Sequence, residues 1–364
     1  MSAPSNKKMI GQPIDALATP ALVVDRDALD FNLALLADYF SDRTCRIRPH
    51  FKSHKCVELA RQQLAAGSCS GITCAKLSEA EQLVDGGMDD VLIANQVVGR
   101  DKARRLAELN RKTLVRCAVD SREQVETLGA AGRDLNVSVP VLVEVDVGMR
   151  RCGVLPGDPT LTLARQIADT DGVRFDGLQG FEGHLVYVTD QKGREAHNRE
   201  SLAPLVETRR TLEAEGLSPC LVSSGGTGTY DLTGNIEGID EVQCGTYALM
   251  DALYNEVRPE FKIARWVLAT IISAHDDFVV TDVGLKGVGC DMGFPVVEGH
   301  PEATPRYCAE EHIPIDGMIG RVGEKLKLVP RHGCTTHHLY RKMWIAKDGM
   351  VEDVWAIEGA GCLE

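Results

Sequence analysis

Nowhere in the 364 residues does an apolar run approach the length of a bilayer-spanning helix, so no such span is expected. The opening stretch, Met1-Ser-Ala-Pro-Ser-Asn-Lys-Lys, lacks the hydrophobic core of a secretory signal, and a cytoplasmic location is the expectation. Surplus positive charge is missing as well. A net charge of -13 argues against general affinity for nucleic acid or anionic membrane, so any basic cluster is local in purpose. The twelve cysteines form no CxxC pair and no clustered spacing, which speaks against a disulfide framework and for reduced core thiols. There is no repeat of fixed period and no low-complexity linker.

What is present is a chain with 44% hydrophobic residues, enough for a large domain with an appendage. Strand-like runs at 46–51, 71–75, 91–94, 115–119, 139–147, 177–181, 221–224 and 241–245 alternate with helix-like segments at 56–66, 77–86, 101–112, 121–131, 161–169 and 198–215. Eight strands with helical crossovers predict a closed (β/α)8 barrel of the TIM type, against the competing open doubly wound sheet. Closure is preferred because the polar motifs fall at the C-terminal ends of many different strands, which a barrel gathers at one mouth. Beyond about Lys262 the pattern becomes short strands between Gly, Asp and Pro turns. The expected division is therefore a barrel over 20–260 and an all-β domain over 261–364, on which residues 1–19 can also pack.

The most informative stretch is Arg46-Ile-Arg-Pro-His-Phe-Lys-Ser-His-Lys55. Arg46, Arg48, His50, Lys52 and His54 share one parity, and on a strand they would line one face, suited to receiving an anion. A lysine partly desolvated beside other cations has its charged form disfavoured, and its amine becomes a nucleophile able to condense with a carbonyl. Lys52 is the candidate. Taken alone, the run fits a basic surface edge better; the downstream motifs reverse that balance.

Ser223-Ser-Gly-Gly-Thr-Gly-Thr229 follows an apolar strand, and its glycines let backbone N–H groups approach a phosphate, with Thr227 and Thr229 offering hydroxyls. It ends in no G-K-[ST] and is not G-x-G-x-x-G, so nucleotide binding is poorly supported. Cys244-Gly-Thr-Tyr247 closes the next strand and can complete the same cup. In Gly148-Met-Arg-Arg-Cys-Gly153, Arg151 is placed in the site and Arg150 on the surface. In His332-Gly-Cys-Thr-Thr-His-His338, a histidine and a cysteine two apart on extended backbone would point the same way and chelate one ion, zinc being favoured and manganese or magnesium alternatives. Two protein ligands leave positions open, as in a catalytic rather than a structural site.

Together these motifs resemble the D-threonine aldolase and eukaryotic-type D-serine dehydratase family of fold-type III pyridoxal phosphate enzymes, alanine racemase-like proteins that include D-threo-3-hydroxyaspartate dehydratase. The resemblance runs from Thr19-Pro-Ala-Leu-Val-Val-Asp25 through Arg48 to Lys55, Gly148 to Gly153, Gly225-Gly-Thr-Gly228 and Cys244-Gly-Thr-Tyr247 to His332-Gly-Cys334. It implies pyridoxal 5'-phosphate carried covalently by Lys52, and phosphate contacts at Gly225, Gly226, Thr227, Gly228, Gly245 and Thr246, with Tyr247 beside them. It also implies a divalent metal at His332 and Cys334, and a homodimer whose active sites lie near the partner chain.

The expected reaction is lyase chemistry on a D-3-hydroxy amino acid. Aldolase-type relatives usually carry Asp where this chain has Cys334, and a histidine where it has Tyr187, so dehydration to a 2-oxo acid and ammonia is preferred over retro-aldol cleavage to glycine and an aldehyde. His184, three residues before Tyr187, can replace that histidine as a base. A non-catalytic pyridoxal phosphate-binding protein is the distant alternative, disfavoured by the β domain and its His-x-Cys pair. Alanine racemase activity is a third, disfavoured because a two-base racemase needs no metal site.

Overall fold

The computed structural model describes residues 6–364; Met1–Ser5, part of the stretch read for a signal segment, lie outside the described residues. Two compact units share the chain. One contains residues 37–52, 62–245 and 362–364, the other residues 6–36, 53–61 and 246–361.

The first unit is built on eight parallel strands: Arg46–Ile47, Ile72–Cys74, Asp90–Gln96, Leu114–Val119, Val139–Glu144, Val173–Gly180, Leu221–Ser224 and Glu241–Val242. Neighbours in sequence pair in space, and Glu241–Val242 returns to Arg46–Ile47. The remaining seam is closed by parallel bridges from Ile47 to Cys69 and from His50 to Thr73. All six side chains of Val139–Glu144 are buried, as expected of a parallel strand covered on both faces. The crossover helices follow ordinary rules. In Arg122–Leu135, Ser121 caps the N-terminus through Gln124 N–H, the left-handed Asn136 ends it, and Val125, Leu128, Gly129 and Gly132 form the buried stripe.

A belt of ion pairs lies inside this barrel. Arg48 contacts Asp90 and Glu241 at 2.7 Å each, and Arg116 contacts Asp90 at 2.6 Å and also Asp176. Asp90 and Glu241 are the first residues of their strands, so the belt is weighted toward the N-terminal end, where barrel residues serve stability. This changes the expectation for the basic run. Only Arg46–Ile47 is strand, Phe51–Ser53 forms a 3-10 turn, and Arg48 is a buried structural cation instead of an anion receptor.

The second unit is a mixed sheet in the order Thr304–Pro305, Ile313–Asp316, Phe278–Thr281, Arg265–Ala274, Ala21–Asp25, Lys342–Lys347, Met350–Ala356, with Lys325–Val329 pairing with Arg265–Ala274 and Val296–Val297 with Lys325–Val329. Ala21–Asp25, which the sequence division grouped with the barrel, pairs antiparallel with Arg265–Ala274 and parallel with Lys342–Lys347. Its face carries a core of Leu17, Val23, Trp266, Leu268, Trp344 and Val351. Two short helices that sequence reading missed, Ala252–Val257 and Gly333–His338, also belong to this unit. Among the described residues, no helix is long and apolar enough to cross a membrane.

Candidate active site

In the barrel unit the catalytic candidates collect at the C-terminal ends of the strands. Lys52 sits half-buried on the turn Phe51–Ser53, and its Nζ lies 5.9 Å from the centroid of the Phe181 ring. Arg151 lies 5.4 Å from the same ring and 3.8 Å from Glu144. Phe181, immediately after strand Val173–Gly180, is thus an aromatic hub between the expected amine and the expected arginine. A Cβ built on Gly226 would meet only this ring, at 3.5 Å, so that side of the glycine turn is open to a ligand beside it.

The glycine turn is tightly preorganised. Residues 225–229 are buried, and Gly225 has φ +69°, a left-handed value that glycine tolerates best. At Gly228 a Cβ would fall 2.4 Å from the Val186 carbonyl oxygen, so only hydrogen fits. Beneath the turn Glu182, fully buried, accepts hydrogen bonds from Ser224 Oγ (3.1 Å), Gly225 N–H (3.1 Å), Thr229 Oγ1 (2.7 Å), Thr233 Oγ1 (2.6 Å) and Asn198 Nδ2 (3.2 Å). The Thr229 hydroxyl, expected to face a phosphate, is therefore donated to Glu182. Gln243 N–H bonds Ser224 C=O at 3.0 Å, which ties the approach to Gly245 to the start of the turn. With the Gly225 N–H and the Thr229 hydroxyl committed to Glu182, the chemistry of the turn next to the Phe181 ring, backbone N–H groups and a threonine hydroxyl, is the kind that suits a phosphate.

A polar chain continues across the strand ends. Glu144 accepts from Gln96 at 2.8 Å and from Gln179 at 3.2 Å, and Gln243 bonds Gln179 and Ser223. Burial raises the Glu144 pKa, with Arg151 and the two amides opposing it. His184 and Tyr187 share the loop after Phe181. His184 is exposed, its Nε2 3.3 Å from Ser201 Oγ on helix Gln191–Ala214, while Tyr187 is half-buried.

The β unit holds the other motif. His332 is the extended residue just before helix Gly333–His338, and Cys334 lies in its first turn, so the pair sits at a bend and not on the expected strand. The two side chains still meet. Burial opposes a charged His332, but hydrogen bonding and charge from Cys334 and Asp291 prevail and raise its pKa to about 9. Asp291 Oδ2 holds His332 Nδ1 at 2.6 Å, and its other oxygen, Oδ1, accepts from Thr335 Oγ1 at 2.7 Å. A carboxylate on one imidazole nitrogen is the usual means of orienting the other toward a metal.

Gly333 has a packing reason: a Cβ there would lie 1.8 Å from the guanidinium carbon of fully buried Arg265. Its N–H donates to Asp251 at 2.9 Å, and Asp251 pairs with Arg265 at 3.6 Å. The charges of Arg265 and Cys334 act on each other, so the thiolate form has a cationic neighbour. A soft thiolate beside an oriented imidazole suits a divalent ion such as zinc. Among the described residues, no three His, Cys, Asp or Glu side chains converge on a common point. Thr246–Ala248 opens this unit as a 3-10 turn, with Tyr247 buried edge-on against Phe261 at 6.1 Å.

Residues 24–252 match the model of the alanine racemase N-terminal domain, and residues 264–346 that of a putative serine dehydratase domain. A 3-hydroxy-D-aspartate aldolase of Paracoccus denitrificans (strain Pd 1222) is 34% identical, the match covering 96% of this chain and 94% of that protein. The crystal structure of D-threonine aldolase from Filomicrobium marinum superposes with a TM-score of 0.95 at 34% identity over 98% of this chain and 99% of the other. The chain belongs to the D-threonine aldolase and D-serine dehydratase family, within the alanine racemase-like fold.

Members of this family are pyridoxal phosphate-dependent lyases, and this chain is one of them. The dehydratase side of the family is represented by D-threo-3-hydroxyaspartate dehydratase from Delftia sp. HT23, with a TM-score of 0.85 at 27% identity over 94% of this chain and 98% of the other. Solved variants of a dehydratase of that name replace a histidine and a cysteine two positions later, the latter in a metal-free form. His332 and Cys334 have the same spacing.

Phe181, Glu182, Asp251, Arg265 and Asp291 are functional neighbours that sequence reading missed. Phe181 ends the strand-like run read over 177–181 and Glu182 follows it; Asp251, Arg265 and Asp291 lie dozens of residues from the motif they serve and carry no local signal.

Proposed function

We propose that this enzyme cleaves D-3-hydroxy amino acids, using pyridoxal phosphate on Lys52 and a divalent ion, zinc first, on His332 and Cys334. The imidazole–thiol pair, oriented by Asp291 and flanked by Arg265, carries the reading. When bound, the cofactor supplies an electron sink for charge developing at the substrate α-carbon, and the ion a Lewis acid for the β-hydroxyl.

The protein's own groups divide the remaining work. Gly226, Thr227, Gly228, Gly245 and Thr246 would anchor the phosphate, while Gly225, expected among them, gives its N–H to Glu182 and serves by its left-handed turn; Arg151 with Phe181 would border the ring. Lys52 would hold the cofactor, and its amine would take the α-proton. In dehydration, hydroxide then leaves the β-carbon, and hydrolysis yields a 2-oxo acid and ammonia. Cys334, sharing its spacing from histidine with the dehydratase pair, favours this route.

The second reading is retro-aldol cleavage. Whole-chain likeness supports it at least as well, since the relatives at 34% identity are aldolases. Here His184 or Tyr187 takes the β-hydroxyl proton, the Cα–Cβ bond breaks, and glycine and an aldehyde are released. Incubation with D-threonine, D-serine and D-threo-3-hydroxyaspartate separates the routes. Ammonia with a 2-oxo acid supports dehydration; glycine with an aldehyde replaces it with the aldolase reading; turnover of none of the three rejects both. The same proposal includes a cytoplasmic homodimer, which sedimentation should show as twice the mass of the chain.

A further inference from the structure

The β unit contains a second thiol site that the reaction does not use. Cys290 Sγ lies 2.7 Å from Cys308 Sγ, both half-buried, so a small oxidant can reach them. The backbone fixes their meeting. Leu285 N–H bonds Ala309 C=O at 2.8 Å, Lys286 N–H bonds Glu310 C=O at 3.1 Å, and a Cβ on Gly284 would fall 2.2 Å from the Ala309 oxygen. The two cysteines therefore close the neck of an excursion formed by residues 291–307. Cys290 is also the middle of a clasp on the metal motif. Gly289 N–H bonds Thr336 Oγ1 at 3.1 Å, and Asp291 holds both His332 and Thr335.

We propose that Cys290 and Cys308 form a reversible disulfide under peroxide, and that this bond disturbs the hold of Asp291 on His332. Either thiol can donate across this contact; with Cys290 as the donor, the Cys308 thiolate is favoured as the first nucleophile. That sulfur attacks one peroxide oxygen, the O–O bond breaks, and the departing hydroxide takes up a proton as water, leaving a sulfenic acid. The Cys290 sulfur then attacks, the S–O bond breaks, the S–S bond forms, and a second water leaves with the Cys290 proton. Two thiols are oxidised and one hydrogen peroxide is reduced to two waters. Drawing the sulfurs from 2.7 Å to the ~2.05 Å of a disulfide moves the residue between Gly289 and Asp291, and loss of a carboxylate partner typically weakens metal binding ~10–100-fold.

The consequence for metal rests on the reading of His332 as a ligand; the disulfide does not. Full-length protein is treated with stoichiometric hydrogen peroxide, alkylated, digested without reductant and mapped by mass spectrometry. Zinc affinity is measured in parallel by competition with a chromophoric chelator. A peptide joining Cys290 to Cys308 should dominate the map. Zinc affinity should fall ~10-fold or more in the natural protein and recover with dithiothreitol, while Cys308→Ser shows neither change. Bridges elsewhere, or none, overturn the dithiol site; a Cys290–Cys308 bridge with unchanged zinc affinity overturns the coupling. Reduced protein that binds no zinc removes the metal reading and the coupling with it, while the peptide map still decides the cysteine pair.

Discussion

In the proposed reaction, Lys52 is the residue on which the chemistry turns. Lys52→Ala should remove the visible absorbance of lysine-bound cofactor and lower turnover ~10³-fold or more, checked by spectrum and product assay. Glu182 acts one step away, through the glycine turn. Glu182→Gln replaces an acceptor of five hydrogen bonds by a group with one acceptor and two donors. It should cost about 1–3 kcal/mol of stability and weaken cofactor binding ~10-fold, read by thermal unfolding and cofactor titration. His337 makes a pH-dependent contribution. Burial, together with the positive charges of Arg265, His54 and Lys55, lowers its pKa well below 6.5. The unfolded chain binds a proton near pH 6.5 that the folded one refuses, so this contribution is intact above that pH and is lost as pH falls below it, at ~1.4 kcal/mol per pH unit. His337→Asn should flatten the acid limb of a stability-against-pH curve. At this scale the position of Lys52, Arg151 and the Gly225–Gly228 turn at the strand ends was legible, because each sits in a motif that follows a recognisable strand. Arg48 was misread because its acid partners come from strands 42 and 193 residues away.

Among elements, the turn between strand Leu221–Ser224 and helix Tyr230–Thr233 is tightly constrained. Gly228→Ala places a methyl 2.4 Å from the Val186 carbonyl, and backbone cannot yield as a flexible side chain can. The variant should lose cofactor affinity more than fold stability, seen as a right-shifted cofactor titration with far-ultraviolet dichroism retained. The barrel strands were legible from their short apolar runs, and the crossovers from helical spacing broken by caps. The bend at His332–Cys334 was not, because a six-residue helix gives too few turns for a period to show. Thr304–Pro305 and Val296–Val297 escaped for the same reason, two residues being too few for an alternation.

Across the whole molecule, eight parallel strands and a mixed sheet were recoverable from texture, but the place of Ala21–Asp25 was not. A buried apolar strand reads the same in either sheet, and only its pairing with Arg265–Ala274 and Lys342–Lys347 decides. Reaction type is the other quantity that resists the sequence, since Cys334 favours one branch and overall likeness the other. What both proposed routes share is the reading that His332 and Cys334 hold an ion that the reaction requires. The most direct measurement is turnover of D-threonine, D-serine and D-threo-3-hydroxyaspartate by cofactor-loaded protein before chelation, after exhaustive chelation, and after zinc is restored. Turnover of at least one should fall ~100-fold or more on chelation and return with zinc, with Cys334→Ala failing to recover. Turnover that survives complete metal removal unchanged would contradict the account.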